Sequence, residues 1–137
     1  MFGVRVMKRR ILIIDDEPGF TTLLKHSLES EGYYLVEEEN EASHALIAAR
    51  EFDPDLFILD VMMPEMDGSD VAAMLRDDRR FKYTPILFLT ALALNAEPPV
   101  TSSPCGGQIY LPKDTPIDKL MACIEEKIGR YAVIPLR

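Results

Sequence analysis

A chain of 137 residues, 47% hydrophobic and 28% charged, is long enough for one globular domain that buries roughly two-thirds of the surface its unfolded form exposes. Its formal net charge of −8 argues against nucleic acid or a membrane surface as a partner held by the bulk field, because both are anionic. No stretch is long and apolar enough for a membrane span or a secretory signal, and the two cysteines, Cys105 and Cys123, lack metal-ligand spacing; no disulfide is expected, and the cytoplasm is the default compartment.

The opening Met1–Arg10 is locally basic and reads as a solvated lead-in to a first strand, Ile11-Leu12-Ile13-Ile14, which stops on Asp15-Asp16-Glu17. Four consecutive apolar residues suit a strand buried on both faces. A helix pattern follows, with Pro18 in its opening turn, Phe20, Leu23, Leu24 and Leu28 on one face, and Gly32 just past its end. The second strand, Tyr33–Val36, runs into Glu37-Glu38-Glu39, and a helix starting near Asn40 carries Ala42, Ala45, Leu46 and Ala49 at helical spacing. The third strand, Leu56–Leu59, stops on Asp60; beyond the turn Met63–Gly68, a third helix faces Val71, Met74 and Leu75 inward. Ile86–Leu89 makes a fourth strand and Ile109–Leu111 a short fifth. The last helix opens at Thr115-Pro116, with Thr115 and Asp118 at capping-box spacing, and buries Ile117, Leu120, Ile124 and Ile128. His26 and His44 fall in helical patterns without partner ligands and read as surface residues.

Strands alternating with helices in this way imply right-handed βαβ units, hence a parallel sheet with helices on both faces. The acids of Glu37-Glu38-Glu39 and the imino group of Pro112 are best tolerated at sheet edges, which suits a strand order of 2-1-3-4-5. Between Thr90 and Tyr110 the alternation asks for a crossover helix, but Pro98, Pro99 and Pro104 each cost about 3 kcal/mol in a helix interior, and Gly106 and Gly107 each cost about 1. An irregular loop with a shortened fourth helix is expected there.

In a parallel sheet the strand ends share one edge, and open α/β sheets place their chemistry along it. Asp15, Asp16 and Asp60 would therefore meet in one crevice and repel each other unless a cation joins them. Each residue also has a plainer reading. Asp60 could be a solvated strand-end cap, and Asp15 and Asp16 could be helix N-terminal acids worth about 0.3–1 kcal/mol each. Thr90 could be a β-branched strand residue, Lys113 a solvent-facing ammonium and Tyr110 a core aromatic. Convergence of three carboxylates favours a metal-assisted site over three unrelated caps.

Four blocks together, Ile13-Ile14-Asp15-Asp16-Glu17-Pro18, Asp60-Val61-Met62-Met63-Pro64-Glu65-Met66-Asp67-Gly68, Leu89-Thr90-Ala91 and Tyr110-Leu111-Pro112-Lys113, resemble the receiver domain of two-component response regulators, of the chemotaxis-receiver kind. The resemblance covers about 8–130 and implies a doubly wound (βα)5, flavodoxin-like three-layer α/β sandwich. On this reading 1–137 is a single receiver domain with a short C-terminal tail over 131–137. It implies that Asp60 is the phosphoacceptor, forming an acyl phosphate. It further implies a magnesium ion ligated by Asp16, Asp60 and the Met62 backbone carbonyl, with Asp15 acting largely through water. Thr90 and the Ala91 amide would donate to phosphoryl oxygens, Lys113 would offset charge, and Tyr110 would be an aromatic switch that turns inward as Thr90 moves.

One departure stands out: members of the family usually carry Pro after this Lys, through a cis bond, whereas here Asp114 follows and Pro112 precedes. A non-proline cis bond costs about 3–4 kcal/mol, so a trans Lys113–Asp114 bond is expected, with Asp114 a competitor for the ammonium. The implied function is a phosphoacceptor in a phosphorelay, charged by a histidine kinase or histidine phosphotransfer protein and catalysing only its own phosphoryl transfer and slow dephosphorylation. Only Tyr131–Arg137 follows the last helix, so output is expected through contact with another protein, without direct nucleic acid or membrane binding. The alternative is a receiver-like interaction module that works without phosphorylation. A phosphatase of the haloacid dehalogenase type needs a second Asp where Met62 stands, and a flavin-binding relative would have to hold phosphate beside the Asp15-Asp16 acids.

Overall fold

The computed structural model describes residues 4–91 and 110–135, with side chains described within 7–91 and 110–130. In chain order it contains β1 (Val4–Ile14), α1 (Pro18–Glu29), β2 (Tyr34–Glu39), a 3-10 turn (Ala42–His44) leading into α2 (Ala45–Phe52), and β3 (Leu56–Asp60). Then follow α3 (Gly68–Arg76), β4 (Ile86–Thr90), β5 (Tyr110–Pro112), α4 (Ile117–Ile128) and β6 (Tyr131–Pro135). The parallel strands lie in the order β2-β1-β3-β4-β5, so the doubly wound topology read from the alternation holds, with β2 and β5 at its outer positions. Ile14 pairs with Leu59, which brings Asp15 and Asp60 side by side just past the register.

The apolar runs work as both-face strands. Ile11 and Ile13 belong to one core layer with Leu24, Leu28 and Ile124; Leu12 and Ile14 belong to the other with Ala45, Ala49, Val71 and Leu75. Period-two alternation in β1 therefore serves helices α1 and α4 on one side and α2 and α3 on the other. Every residue of β3 and β4 is buried, so the two strands that end on Asp60 and Thr90 are anchored by core packing.

Several expectations are corrected. Val4–Arg10 is not a solvated lead-in but the first part of β1, and the segment read as a tail forms β6. The two pair antiparallel from Val4↔Pro135 to Lys8↔Tyr131. A strand outrunning its parallel neighbours exposes unpaired backbone groups, and β6 satisfies them. Leu23 is 68% exposed and the inward position is taken by Thr21; Ile117 is 40% exposed while Cys123 is buried. In α1 the residues Thr21, Leu24 and Leu28 share the i, i+3, i+7 face, and Leu23 lies off that stripe. Thr115 does not cap α4: its hydroxyl donates back to the Pro112 carbonyl at 2.6 Å, and Pro116 stands at the N-cap. Cys123 is disulfide-bonded, against the expectation of free thiols, since cysteine spacing along a chain does not report which segments fold together. Cys105 and the expected irregular loop lie outside the described residues.

Candidate functional site

The β1–α1 turn holds Asp15, 1% exposed, and β3 ends on Asp60, 5% exposed. One carboxylate oxygen from each of Asp15, Asp16, Glu17 and Asp60 lies within 4.8 Å of the others. That keeps Asp16 and Asp60 within the roughly 5 Å that two ligands of one small cation can span. The donors are all carboxylate oxygens, the hard set that oxygen-seeking divalent cations prefer.

Lys113, just past β5, puts its Nζ 2.7 Å from Asp15 Oδ2, 3.2 Å from Glu17 Oε1 and 3.4 Å from Asp60 Oδ2, and 4.7 Å from the Phe20 ring centre. Its backbone N–H donates to the Thr90 carbonyl at 2.8 Å, fixing the root of the side chain to the end of β4. Among the described residues no peptide bond is cis, as expected for Lys113–Asp114. Asp114 does not compete for the ammonium: it is exposed, and the ion pairs of Lys113 run to the crevice acids.

Four acids around one ammonium leave a surplus of negative charge, and the proton equilibria register it. Burial pushes the Asp15 carboxyl up to about 6, against the hydrogen bonds from Lys113 and the Glu17 N–H. Burial likewise raises Asp60, opposed by Lys113 and by the Met62 N–H, which donates to its carboxylate. For Lys113, burial acts to lower the pKa, but Asp15, Asp60 and Glu17 together outweigh it and raise it, so the side chain stays an ammonium.

Thr90 closes β4, is 3% exposed, and lies one residue beyond the Asp60↔Leu89 pair; Ala91 follows it at the exposed edge. Tyr110 is not a core aromatic. It is 42% exposed, with its ring stacked 4.7 Å from that of Phe88 at an interplanar angle of 12°. The Met62 side chain is 63% exposed, leaving its backbone as the part that meets Asp60. Beyond it Gly68 donates its N–H to the Val61 carbonyl at 2.8 Å, and a Cβ on Gly68 would collide with the Asp60 carbonyl. A cleft of about 340 Å³ opens beside Asp16, walled by Asn40, Glu41, Met63 and Glu65.

The structure thus gathers Asp15, Asp16, Asp60 and Lys113 as expected, sets Thr90 and Ala91 next to them, and leaves Tyr110 outward. Glu17 is an addition, visible in the sequence as the third acid after the first strand. Asn40 also reaches the β1–α1 turn, and Thr21 and Glu38 stand behind it; the polar Thr21 at an inward helix position was the available signal.

Residues 11–125 match the family of response regulator receiver domains. The DNA-binding dual master transcriptional regulator RpaA of Synechocystis sp. is 34% identical over 126 residues, covering 92% of this chain and 52% of that protein. The transcriptional regulatory protein TcrA of Mycobacterium tuberculosis is 38% identical over 131 residues, 96% of this chain and 50% of its own. The chain spans about half the length of these relatives. The chemotaxis protein CheY4 of Vibrio cholerae shares its fold with a TM-score of 0.72 and 26% identity, over 88% of this chain and 98% of that one.

Proposed function

The chain belongs to the response regulator receiver domains, the signalling modules of two-component systems, and on that premise we propose that Asp60 is its phosphoacceptor. Asp15, Asp16, Asp60 and the Met62 carbonyl would hold magnesium, with Asp15 acting largely through water. Bound there, magnesium neutralises the carboxylates so that an anionic phosphoryl group can approach them.

The steps that belong to the chain's own residues are few. A carboxylate oxygen of Asp60 attacks phosphorus in line as the bond to the donor breaks, from a histidine nitrogen in a kinase or phosphotransfer protein or from the acetyl oxygen of acetyl phosphate. The donor leaves with the bonding pair and an acyl phosphate forms. The Thr90 hydroxyl and the Ala91 amide donate to the new phosphoryl oxygens, and the Lys113 ammonium follows the charge. As Thr90 moves, Tyr110 leaves its stack on Phe88 and turns inward, changing the surface that a downstream protein reads. Such coupling needs only about 1–3 kcal/mol. The cytoplasm suits a kinase-fed domain.

The observation that carries this reading is the meeting of four carboxylates within 4.8 Å, two of them buried, with Lys113 reaching both buried ones. The test is intact-mass measurement after incubation with magnesium and acetyl phosphate. One phosphoryl adduct is expected on the wild type and none on Asp60→Asn. A folded wild type that takes no phosphoryl group, or an adduct that survives Asp60→Asn, would favour an interaction module working without phosphorylation at Asp60.

A further inference from the structure

A part-buried polar chain behind the crevice reaches the backbone that carries its acids. Asn40, just after β2, donates from Nδ2 to the Asp15 backbone carbonyl at 2.8 Å and to Thr21 Oγ1 at 3.0 Å. A backbone carbonyl only accepts, so the amide nitrogen must be the atom that faces it. Thr21 is fully buried on the inward face of α1, where an aliphatic residue would ordinarily pack. Its hydroxyl accepts from Asn40 and donates to Glu38 Oε1 at 2.7 Å, and the same oxygen accepts from Thr22 at 2.9 Å.

We propose that Asn40, held by Thr21 and Glu38, is a positioning residue that sets the Asp15–Asp16 peptide for metal binding. The Asp15 carbonyl is part of that peptide unit, so fixing it fixes the direction in which Asp16 leaves the turn. The remaining anchors of Asp15 are already taken: its N–H donates to the Glu39 carbonyl at 3.1 Å, Oδ1 accepts from the Glu17 N–H at 3.0 Å, and Oδ2 lies 2.7 Å from Lys113 Nζ. Asn40 thus completes a four-point hold on a residue whose neighbour must meet a cation within a few tenths of an ångström. Groups that orient metal ligands without touching the ion typically change its affinity by roughly 10–100-fold when removed. A network that only welded α1 to β2 would not need to end on that carbonyl; the Glu38–Thr21 and Glu38–Thr22 bonds alone join those elements.

The inference rests on the receiver reading, and one set of measurements separates the two. Magnesium affinity is measured by calorimetry for the wild type, Asn40→Ala, Thr21→Val and Thr21→Ser, alongside urea midpoints and the amide shifts of Asp15 and Asp16 in metal-free protein. Asn40→Ala and Thr21→Val are expected to weaken magnesium about tenfold or more and to shift the Asp15 and Asp16 amides before any metal is added. Thr21→Ser keeps the hydroxyl and is expected to bind within about threefold of the wild type. Variants that lose stability but bind magnesium as the wild type does would overturn the proposal and leave the receiver reading intact. A wild type that does not bind magnesium would overturn both. Should Asn40→Ala fail to fold, the contrast between Thr21→Val and Thr21→Ser decides the matter on its own.

Discussion

Strand β3 has a carboxylate at each end, and the two have opposite surroundings. Asp55, just before the strand, accepts the Arg10 N–H at 2.8 Å, lies 3.8 Å from the Arg9 guanidinium, and donates its own N–H to the Arg10 carbonyl at 2.7 Å. Arg10 in turn covers the Phe52 ring at 4.5 Å. Asp60, at the other end, is almost fully buried beside Asp15, Asp16 and Glu17, and it shares one lysine with Asp15 and Glu17. The first end is balanced and closes the fold. The second is held out of balance by rigid, apolar strands, and its surplus charge is free to be spent on a ligand. Buried charge without a matched partner costs stability, so its presence at the end of a fully buried strand points to use rather than support.

Three substitutions sharpen or break this contrast. The largest effect is expected at Gly68→Ala. A Cβ there meets the Asp60 carbonyl and lies 3.1 Å from Val61 Cα, so the turn must move, at a cost of about 2–4 kcal/mol in urea unfolding and with loss of phosphorylation. A cost below about 0.5 kcal/mol would mean that the acid end tolerates displacement. Next comes a reversal of sign. In magnesium-free buffer Asp55→Ala should destabilise by about 1–3 kcal/mol, because it strands the Arg10 N–H, whereas Asp60→Asn should stabilise by about 1 kcal/mol, because it removes a charge that burial disfavours. Changes of the same sign would erase the distinction between the two ends.

A further test is a slope with pH. Asp15 sits at about 6 in the folded protein and 3.8 when unfolded, so the native state holds a proton that the unfolded chain has already released. The sign follows: without magnesium, stability falls as pH rises from about 4 to 6 and then levels, and Asp15→Asn flattens that stretch. Stability that instead climbs with pH across the same window in wild type, and not in Asp15→Asn, would contradict the desolvation of Asp15.

Much of this was legible in the residue order. Runs such as Ile11–Ile14 and Leu56–Leu59 carry their own strand length, and acid directly after each marks the functional edge without any tertiary information. Alternation of strands and helices then supplied the topology through the handedness of crossovers. What stayed hidden depended on contacts between distant segments. β6 exists because β1 outruns its parallel partners, and local pattern does not reveal that. Thr21 in place of Leu23 on the buried face of α1 reflects a hydrogen bond to Glu38, seventeen residues away, which hydrophobic spacing ranks wrongly. The Thr115 hydroxyl serves β5 rather than α4 for a similar reason: a nearer carbonyl competes with the helix end. Glu17 was in plain sight, but its role emerged only once Lys113 was placed between it and Asp15.

The central claim is that the unbalanced acids are arranged for a divalent cation, and isothermal calorimetry with magnesium chloride tests it most directly. At about pH 7.5 one site is expected in the wild type, weakened at least tenfold in Asp16→Asn and fading by about pH 5 as Asp15 takes up a proton. A folded wild type that binds no magnesium, or an Asp16→Asn variant that binds it equally well, would contradict the account.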